Sequence, residues 1–137
     1  LERLVEANTL LSGIGFESRG PATAHSVHNG LTAAPDTHAY YHGEKVAFGT
    51  LTGLHLTGAP AEEMAAAYAF CEEVDLPTTL AAVGLEGADR ALLHAVATRA
   101  CAPDQPIHHE SGAVAPDRVL DAMLAADAMG RRRKGRP

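Results

Sequence analysis

The sequence predicts an all-α helical bundle, and three observations support this fold class. Apolar residues recur every three or four positions in successive segments, which is the spacing of amphipathic helices. Runs of alternating β-branched residues, which are typical of strands, do not occur. Aromatic residues make up only 4% of the chain and alanine is frequent, so we expect close packing through small side chains. With 137 residues, 46% of them hydrophobic, the chain can bury a single core and is expected to form one domain.

The first half of the chain contains three predicted helices, over residues 1–12, 22–31 and 42–56. In the first of them, Leu1, Leu4, Val5 and Leu11 recur at helical spacing, and Gly13-Ile14-Gly15 then breaks the pattern. Pro21 suits the first turn of the second helix, where its missing N–H costs no hydrogen bond. Pro35, Asp36 and Thr37 read as a turn between the second and third helices.

Three more helices are predicted over residues 60–75, 88–100 and 116–129. The buried stripe of the first contains Met64, Ala67, Tyr68, Cys71 and Val74. Residues 78–85 are predicted to form a short helix or turn, and residues 101–115 a loop. Residues 131–137, mostly Arg and Lys, are predicted to be a disordered basic tail, so residues 1–130 form the predicted domain.

The predicted helix over residues 42–56 contains three glycines, Gly43, Gly49 and Gly53. Because glycine costs on the order of 1 kcal/mol relative to alanine in a helix, their presence indicates that something packs very close. Either a bound metal or neighbouring helix needs this approach, or the segment is simply a bent buried helix.

Composition and charge exclude several classes of function. The formal net charge is −6 and the sequence pI is about 5.7, so the body of the protein lacks the positive charge that nucleic-acid binding requires. No signal peptide or membrane-spanning stretch is recognisable. Cys71 and Cys101 lie thirty residues apart in apolar helical surroundings, which predicts free buried thiols and a reducing, cytoplasmic location.

Four of the eight histidines lie within eighteen residues, at His25, His28, His38 and His42. On a helix, His25 and His28 project from one face because residues three apart are neighbours. Neutral imidazole is a good ligand for zinc or iron. Spacing alone does not distinguish a metal site from polar surface histidines, since HxxH lacks the other residues of a strong zinc motif.

The other polar residues and clusters are interpreted mainly as surface or structural features. The acidic residues Glu62, Glu63, Glu72 and Glu73 are expected to form a solvated helix face. His55 is expected to be a surface or core histidine. The loop residues His108, His109 and Glu110 form a weak second metal candidate, because adjacent residues point in different directions. Glu44 is expected at a helix start, or as a hydrogen-bond partner of His42.

Four motifs reveal a family resemblance: GIGFES, AHSVHNGLTA, YYHGEKVAFGTLTGL and LPTTLAAVGL. They resemble the C-terminal part of glycerol-oxidising members of the iron-containing (group III) alcohol dehydrogenase family. The resemblance implies that His25 and His42 ligate a divalent metal, zinc or alternatively Fe²⁺. It also implies that Phe16 lines the substrate pocket and that His28 is a catalytic residue near the alcohol and the nicotinamide. The third ligand would be an aspartate from an upstream segment; Asp36 or Glu17 are substitutes that no spacing singles out.

The resemblance further implies that the complete enzyme oxidises glycerol to dihydroxyacetone with NAD. No glycine-rich phosphate-binding loop follows a strand in this sequence, so we expect the nucleotide-binding domain to be missing from the chain. Two hypotheses follow. The chain is the metal-binding part of a glycerol-oxidising enzyme, as a fragment or split-gene product and inactive alone. Alternatively, it is a non-enzymatic helical domain that binds metal or a partner protein. Assembly into a homo-oligomer fits the family, whereas nucleic acid and membrane partners do not.

Overall fold

The computed structural model describes residues 22–135. Within this range it contains five α-helices and no β-strand, which confirms the predicted all-α fold. The helices are α1 (Ala22–Leu31), α2 (His42–Thr57), α3 (Ala61–Glu73), α4 (Arg90–Ala100) and α5 (Pro116–Lys134). Short 3-10 turns occupy Pro35–Ala39, Ala81–Val83 and Pro106–His109. The helix predicted over residues 1–12, together with Phe16, Glu17 and Pro21, lies outside the described residues.

Four of the helices form a closed ring around the core. Helix α1 packs against α2 and α4, and α5 packs against the same two helices from the other side. Helix α3 lies against α2 and reaches α5 through Tyr68, whose hydroxyl donates a 2.9 Å hydrogen bond to the Ala126 carbonyl. The largest fully buried hydrophobic side chains come from every helix and from two of the 3-10 turns: Val27, Leu31, Phe48, Leu51, Tyr68, Val83, Val96, Ile107, Val119, Leu120 and Met123.

Small residues let α1 and α2 approach each other closely. A Cβ built on Gly49 would lie 2.5 Å from the Ala24 carbonyl oxygen, and one on Gly53 would lie 3.3 Å from the Thr23 side chain. The third glycine differs, because a Cβ on Gly43 would meet nothing within 4 Å. Close packing therefore explains two of the three glycines, and the neighbour that requires it is helix α1.

A buried threonine holds the turn between α1 and α2. The Thr37 hydroxyl lies 2.6 Å from the carbonyl of Leu31, the last residue of α1, and 2.9 Å from the carbonyl of Ala34 in the turn. Lys45 is also buried, and its ammonium group donates to the Thr37 carbonyl at 3.3 Å. These bonds fix the start of α2 relative to the end of α1.

Two details of the predicted helices are wrong. Val74, placed in the buried stripe of α3, is 48% exposed because the helix ends at Glu73. Helix α5 continues to Lys134, so the first four residues of the predicted disordered tail are helical. Salt bridges from Arg131 to Asp127 and from Arg133 to Glu72 hold this extension, and basic side chains suit the negative end of a helix.

The other helical predictions that fall within residues 22–135 agree with the structure to within a few residues. Cys71 and Cys101 are free thiols, as predicted, but only Cys71 is buried and Cys101 is partly exposed. Burial raises the pKa of both. None of the helices in the described range is both long and apolar enough to cross a membrane.

Candidate metal centre

Helices α1 and α2 bring His25 and His42 together at one end of the bundle. His25 lies in the first turn of α1, and His42 is the first residue of α2. Their ring centroids are 5.9 Å apart with the ring planes at 47°, and both side chains are exposed. Two histidines separated by seventeen positions in sequence thus face a common space at the surface.

The start of α2, and with it the place of His42, is fixed by a local cap. Tyr41 is extended, and its N–H donates to the Glu44 carboxylate at 2.6 Å. A carboxylate in the first turn also suits the positive end of the helix dipole. Of the two roles considered for Glu44, the structure shows the helix start.

His28 lies one turn along α1 and contacts the His42 ring. The two ring centroids are 4.2 Å apart in an edge-to-face arrangement, and His28 Nε2 lies 3.1 Å from His42 Nδ1. His28 Nδ1 in turn lies 3.1 Å from the side-chain oxygen of Asn29. Both ring nitrogens of His28 therefore have protein partners, and in each of these hydrogen bonds one atom must donate while the other accepts.

The electrostatic environment keeps His28 neutral near pH 7. Burial lowers the pKa of His28, the hydrogen bond to Asn29 opposes this shift, and electrostatic interactions with His42, Lys45 and His25 lower the pKa further. A neutral imidazole retains the lone pair that a hydrogen bond or a metal ion requires.

The other histidines of the sequence lie elsewhere. His38 Nε2 is 3.0 Å from the Thr32 carbonyl, and His108 Nε2 is 3.1 Å from the Cys101 carbonyl. His55 is partly buried, and its Nε2 lies 3.2 Å from the Tyr68 hydroxyl. Within residues 22–135, no group of three or more His, Cys, Asp or Glu side chains is arranged to hold a metal ion.

Sequence reasoning missed two long-range contacts beside this centre. Glu110, considered only as a weak metal ligand, accepts hydrogen bonds from the Thr23 N–H at 3.2 Å and the Thr23 hydroxyl at 2.7 Å, and so ties down the start of α1. The Asn29 side-chain amide donates to Gln105 Oε1 at 2.7 Å. The sequence carries no signal for either bond, because each joins residues more than seventy positions apart.

Comparison with known proteins identifies relatives for nearly the whole chain, although no protein-family model matches it. A glycerol dehydrogenase from Thermotoga maritima is 54% identical over 134 residues, which are 98% of this chain and 37% of the relative. A glycolaldehyde reductase from Halobacterium salinarum is 47% identical over 99% of this chain and 37% of its own length. The crystal structure of glycerol dehydrogenase from Schizosaccharomyces pombe superposes with a TM-score of 0.87 at 39% identity, covering 96% of this chain and 34% of that one.

These names denote oxidoreductases, and the chain is a homologue of such enzymes. More particularly, it is a homologue of glycerol dehydrogenases, as its motifs predicted. The chain spans about a third of the length of the relatives it matches.

Proposed function

We propose that this chain corresponds to the C-terminal, metal-binding part of an NAD-dependent glycerol dehydrogenase of the iron-containing (group III) alcohol dehydrogenase family. One observation carries the proposal. His25 and His42, which come from two different motifs, face each other with ring centroids 5.9 Å apart. Homology to glycerol dehydrogenases over nearly the whole chain supports the same assignment.

The residues present fit a divalent metal as two of its ligands. Both side chains are exposed, so an ion can reach them from solvent or from a second domain that covers this face. Imidazole nitrogen suits zinc, which we propose as the metal, and Fe²⁺ is the alternative. A catalytic zinc site typically uses three protein ligands. In the proposal, the third is an aspartate from the nucleotide-binding part of the enzyme.

The chemistry needs two events at one carbon of glycerol, loss of the hydroxyl proton and transfer of a hydride, and the product is dihydroxyacetone. The bound metal would supply Lewis acidity to the alcohol oxygen, and NAD would accept the hydride. The residues of this chain would hold the metal and orient the substrate. His25 and His42 are fixed by the close contact of α1 with α2 and by the cap that starts α2. His28 lies beside them, and Phe16 is proposed to pack on the carbon skeleton of the substrate.

Zinc binding by the 137-residue chain tests the assignment. We expect weak binding that is lost in His25→Ala and in His42→Ala, and no binding of NAD. The matched control is His38→Ala, which removes an exposed histidine from the turn between these two helices and should leave zinc binding unchanged. Tight zinc binding that survives both ligand substitutions would contradict the proposal.

A second experiment tests the activity. The chain is mixed with a separately produced nucleotide-binding domain of a glycerol dehydrogenase, and NADH formation from glycerol is followed. We expect activity only when both pieces, zinc and NAD are present. Glycolaldehyde with NADH is the competing substrate pair, because one relative is a glycolaldehyde reductase. If the assembled enzyme prefers glycolaldehyde, the proposed metal site stands and the proposed substrate changes.

A cytoplasmic location and assembly into oligomers belong to the same proposal.

A further inference from the structure

A line of side-chain hydrogen bonds connects the interior of the protein to His42. It starts at Gln105, which is only 6% exposed and immediately precedes the Pro106–His109 turn. Gln105 Oε1 accepts from the Asn29 amide at 2.7 Å, and Asn29 Oδ1 lies 3.1 Å from His28 Nδ1. His28 Nε2 lies 3.1 Å from His42 Nδ1. Three bonds thus couple a buried amide to an exposed histidine of the candidate metal centre.

This hydrogen-bond chain has a direction, because every member uses one donor and one acceptor. When Gln105 accepts from the Asn29 amide nitrogen, Asn29 must present its oxygen to His28. His28 then carries its hydrogen on Nδ1 and accepts at Nε2 from a hydrogen on His42 Nδ1. The opposite direction would reverse every bond and place the hydrogen of His42 on Nε2. A zinc ion cannot bind a nitrogen that carries a hydrogen.

The side-chain amides of the structure select one of the two directions. Asn29 Nδ2 donates to Gln105 Oε1, so the Asn29 oxygen faces His28 Nδ1. Hydrogen bonding by the Gln105 side chain also lowers the pKa of Asp104, which agrees with an amide nitrogen turned toward that carboxylate and an oxygen turned toward Asn29. Arg99, whose guanidinium lies 3.5 Å from the same carboxylate, helps to keep Asp104 ionised and in place.

We propose that Gln105 and Asn29 are positioning residues that, through His28, fix His42 with its hydrogen on Nδ1 and leave Nε2 unprotonated for a metal ion. The use of Nε2 by a metal rests on the function proposed above, whereas the hydrogen position is a property of this chain alone. Metal-binding histidines usually donate their second ring nitrogen to a neighbouring group, which orients the ring. In this centre, His28 is that group. With both nitrogens engaged, His28 acts through His42 rather than on the substrate.

Nitrogen-15 NMR of the histidine side chains tests the proposal on the metal-free, 137-residue chain. At about pH 8 neutral imidazoles dominate, and long-range couplings show which ring nitrogen carries the hydrogen. We expect the hydrogen on Nδ1 in both His28 and His42. A His42 ring with its hydrogen on Nε2 would overturn the proposal without any variant being made.

Two variants of Gln105 separate positioning from general stability. Gln105→Met keeps the length of the side chain but removes the acceptor, so we expect the Nε2–H form of His42 to appear. Zinc affinity should fall about tenfold, the lower end of what such outer partners contribute. Gln105→Glu keeps an acceptor toward Asn29 and should retain the wild-type ring signals. The signals of His94, which faces Asp117 on another part of the surface, serve as a control that should not change.

The outcomes distinguish this inference from the function on which it rests. If the wild-type rings carry their hydrogens as expected but zinc does not bind, the proposed function fails and the positioning role stands. If zinc binds through His25 and His42 but Gln105→Met changes neither the ring signals nor the affinity, the positioning role fails and the proposed function stands.

Discussion

The contact between Gly49 and Ala24 makes a quantitative prediction about the candidate metal centre. A Cβ at position 49 would lie 2.5 Å from the Ala24 carbonyl oxygen, and ordinary contact begins at 3.4 Å. In Gly49→Ala, the two helices must therefore separate locally by about 0.9 Å, the difference between these distances, because backbone on both sides leaves no flexible group to yield. Overpacking of this kind costs about 1–3 kcal/mol. Alanine regains up to about 1 kcal/mol of helix propensity, so we expect a net loss of up to about 2 kcal/mol.

Urea unfolding followed by circular dichroism measures this loss. The control is Gly43→Ala in the same helix, where the new methyl group meets nothing within 4 Å and should stabilise the protein by up to about 1 kcal/mol. The reasoning is refuted if Gly49→Ala proves as stable as Gly43→Ala.

Zinc affinity provides a second measurement on the same variant. His25 directly follows Ala24, so any separation of the helices at Gly49 also moves His25 away from His42. Metal–ligand distances tolerate changes of only about 0.2 Å, which is less than the expected shift. We therefore expect Gly49→Ala to bind zinc more weakly than the wild-type chain under conditions where both are folded. Unchanged affinity would show that the two histidines adjust independently of the helices that carry them.

Three further predictions concern stability. Asp127→Ala should destabilise the protein by about 1–3 kcal/mol in urea unfolding, because the Leu80 N–H, which donates to the Asp127 carboxylate at 2.8 Å, is left buried without a partner. Tyr68→Phe removes a hydroxyl bonded inside the core and should cost about 1 kcal/mol, with the native circular dichroism spectrum retained. Hydrogen bonding to Arg133 lowers the pKa of Glu72, so its contribution is present above the unfolded-state pKa and lost as the pH falls through the folded-state value. Glu72→Gln should therefore flatten the dependence of unfolding free energy on pH between about pH 6 and pH 3; an unchanged slope would show that other carboxylates cause it.

The helices were predictable because their signals are local. Apolar periodicity, prolines at helix starts and the turn at Pro35 depend on neighbours in sequence, and the predicted bounds of α1 are those observed. The last helix was predicted to end at Met129, just before Gly130 and the basic tail. In the structure, the Gly130 position lies directly against the Thr78 carbonyl, and the helix continues past it. A glycine required by a distant neighbour cannot be told from a helix stop by sequence alone.

Some residues of the candidate site could be predicted from the sequence, and others could not. His25, His28 and His42 lie within eighteen residues, and motif resemblance singled them out before the structure showed their proximity. Asn29 lies within helix α1 and its side chain bonds Gln105, a role that no sequence pattern indicated. Gln105 itself has no neighbours in sequence that point to the site. Its role depends on the docking of a distant loop onto α1, which no local pattern encodes.

The arrangement of the centre also implies an order of events during folding. Contacts between residues close in sequence form with little loss of chain entropy, whereas contacts across long loops form late. The approach of His25 to His42 requires closure of only a short loop around the Pro35–Ala39 turn. The bond from Asn29 to Gln105 spans 76 residues and requires the 3-10 turn after Gln105 to dock on α1. The two histidines thus meet early, while their ring hydrogens are assigned only when the last parts of the bundle close.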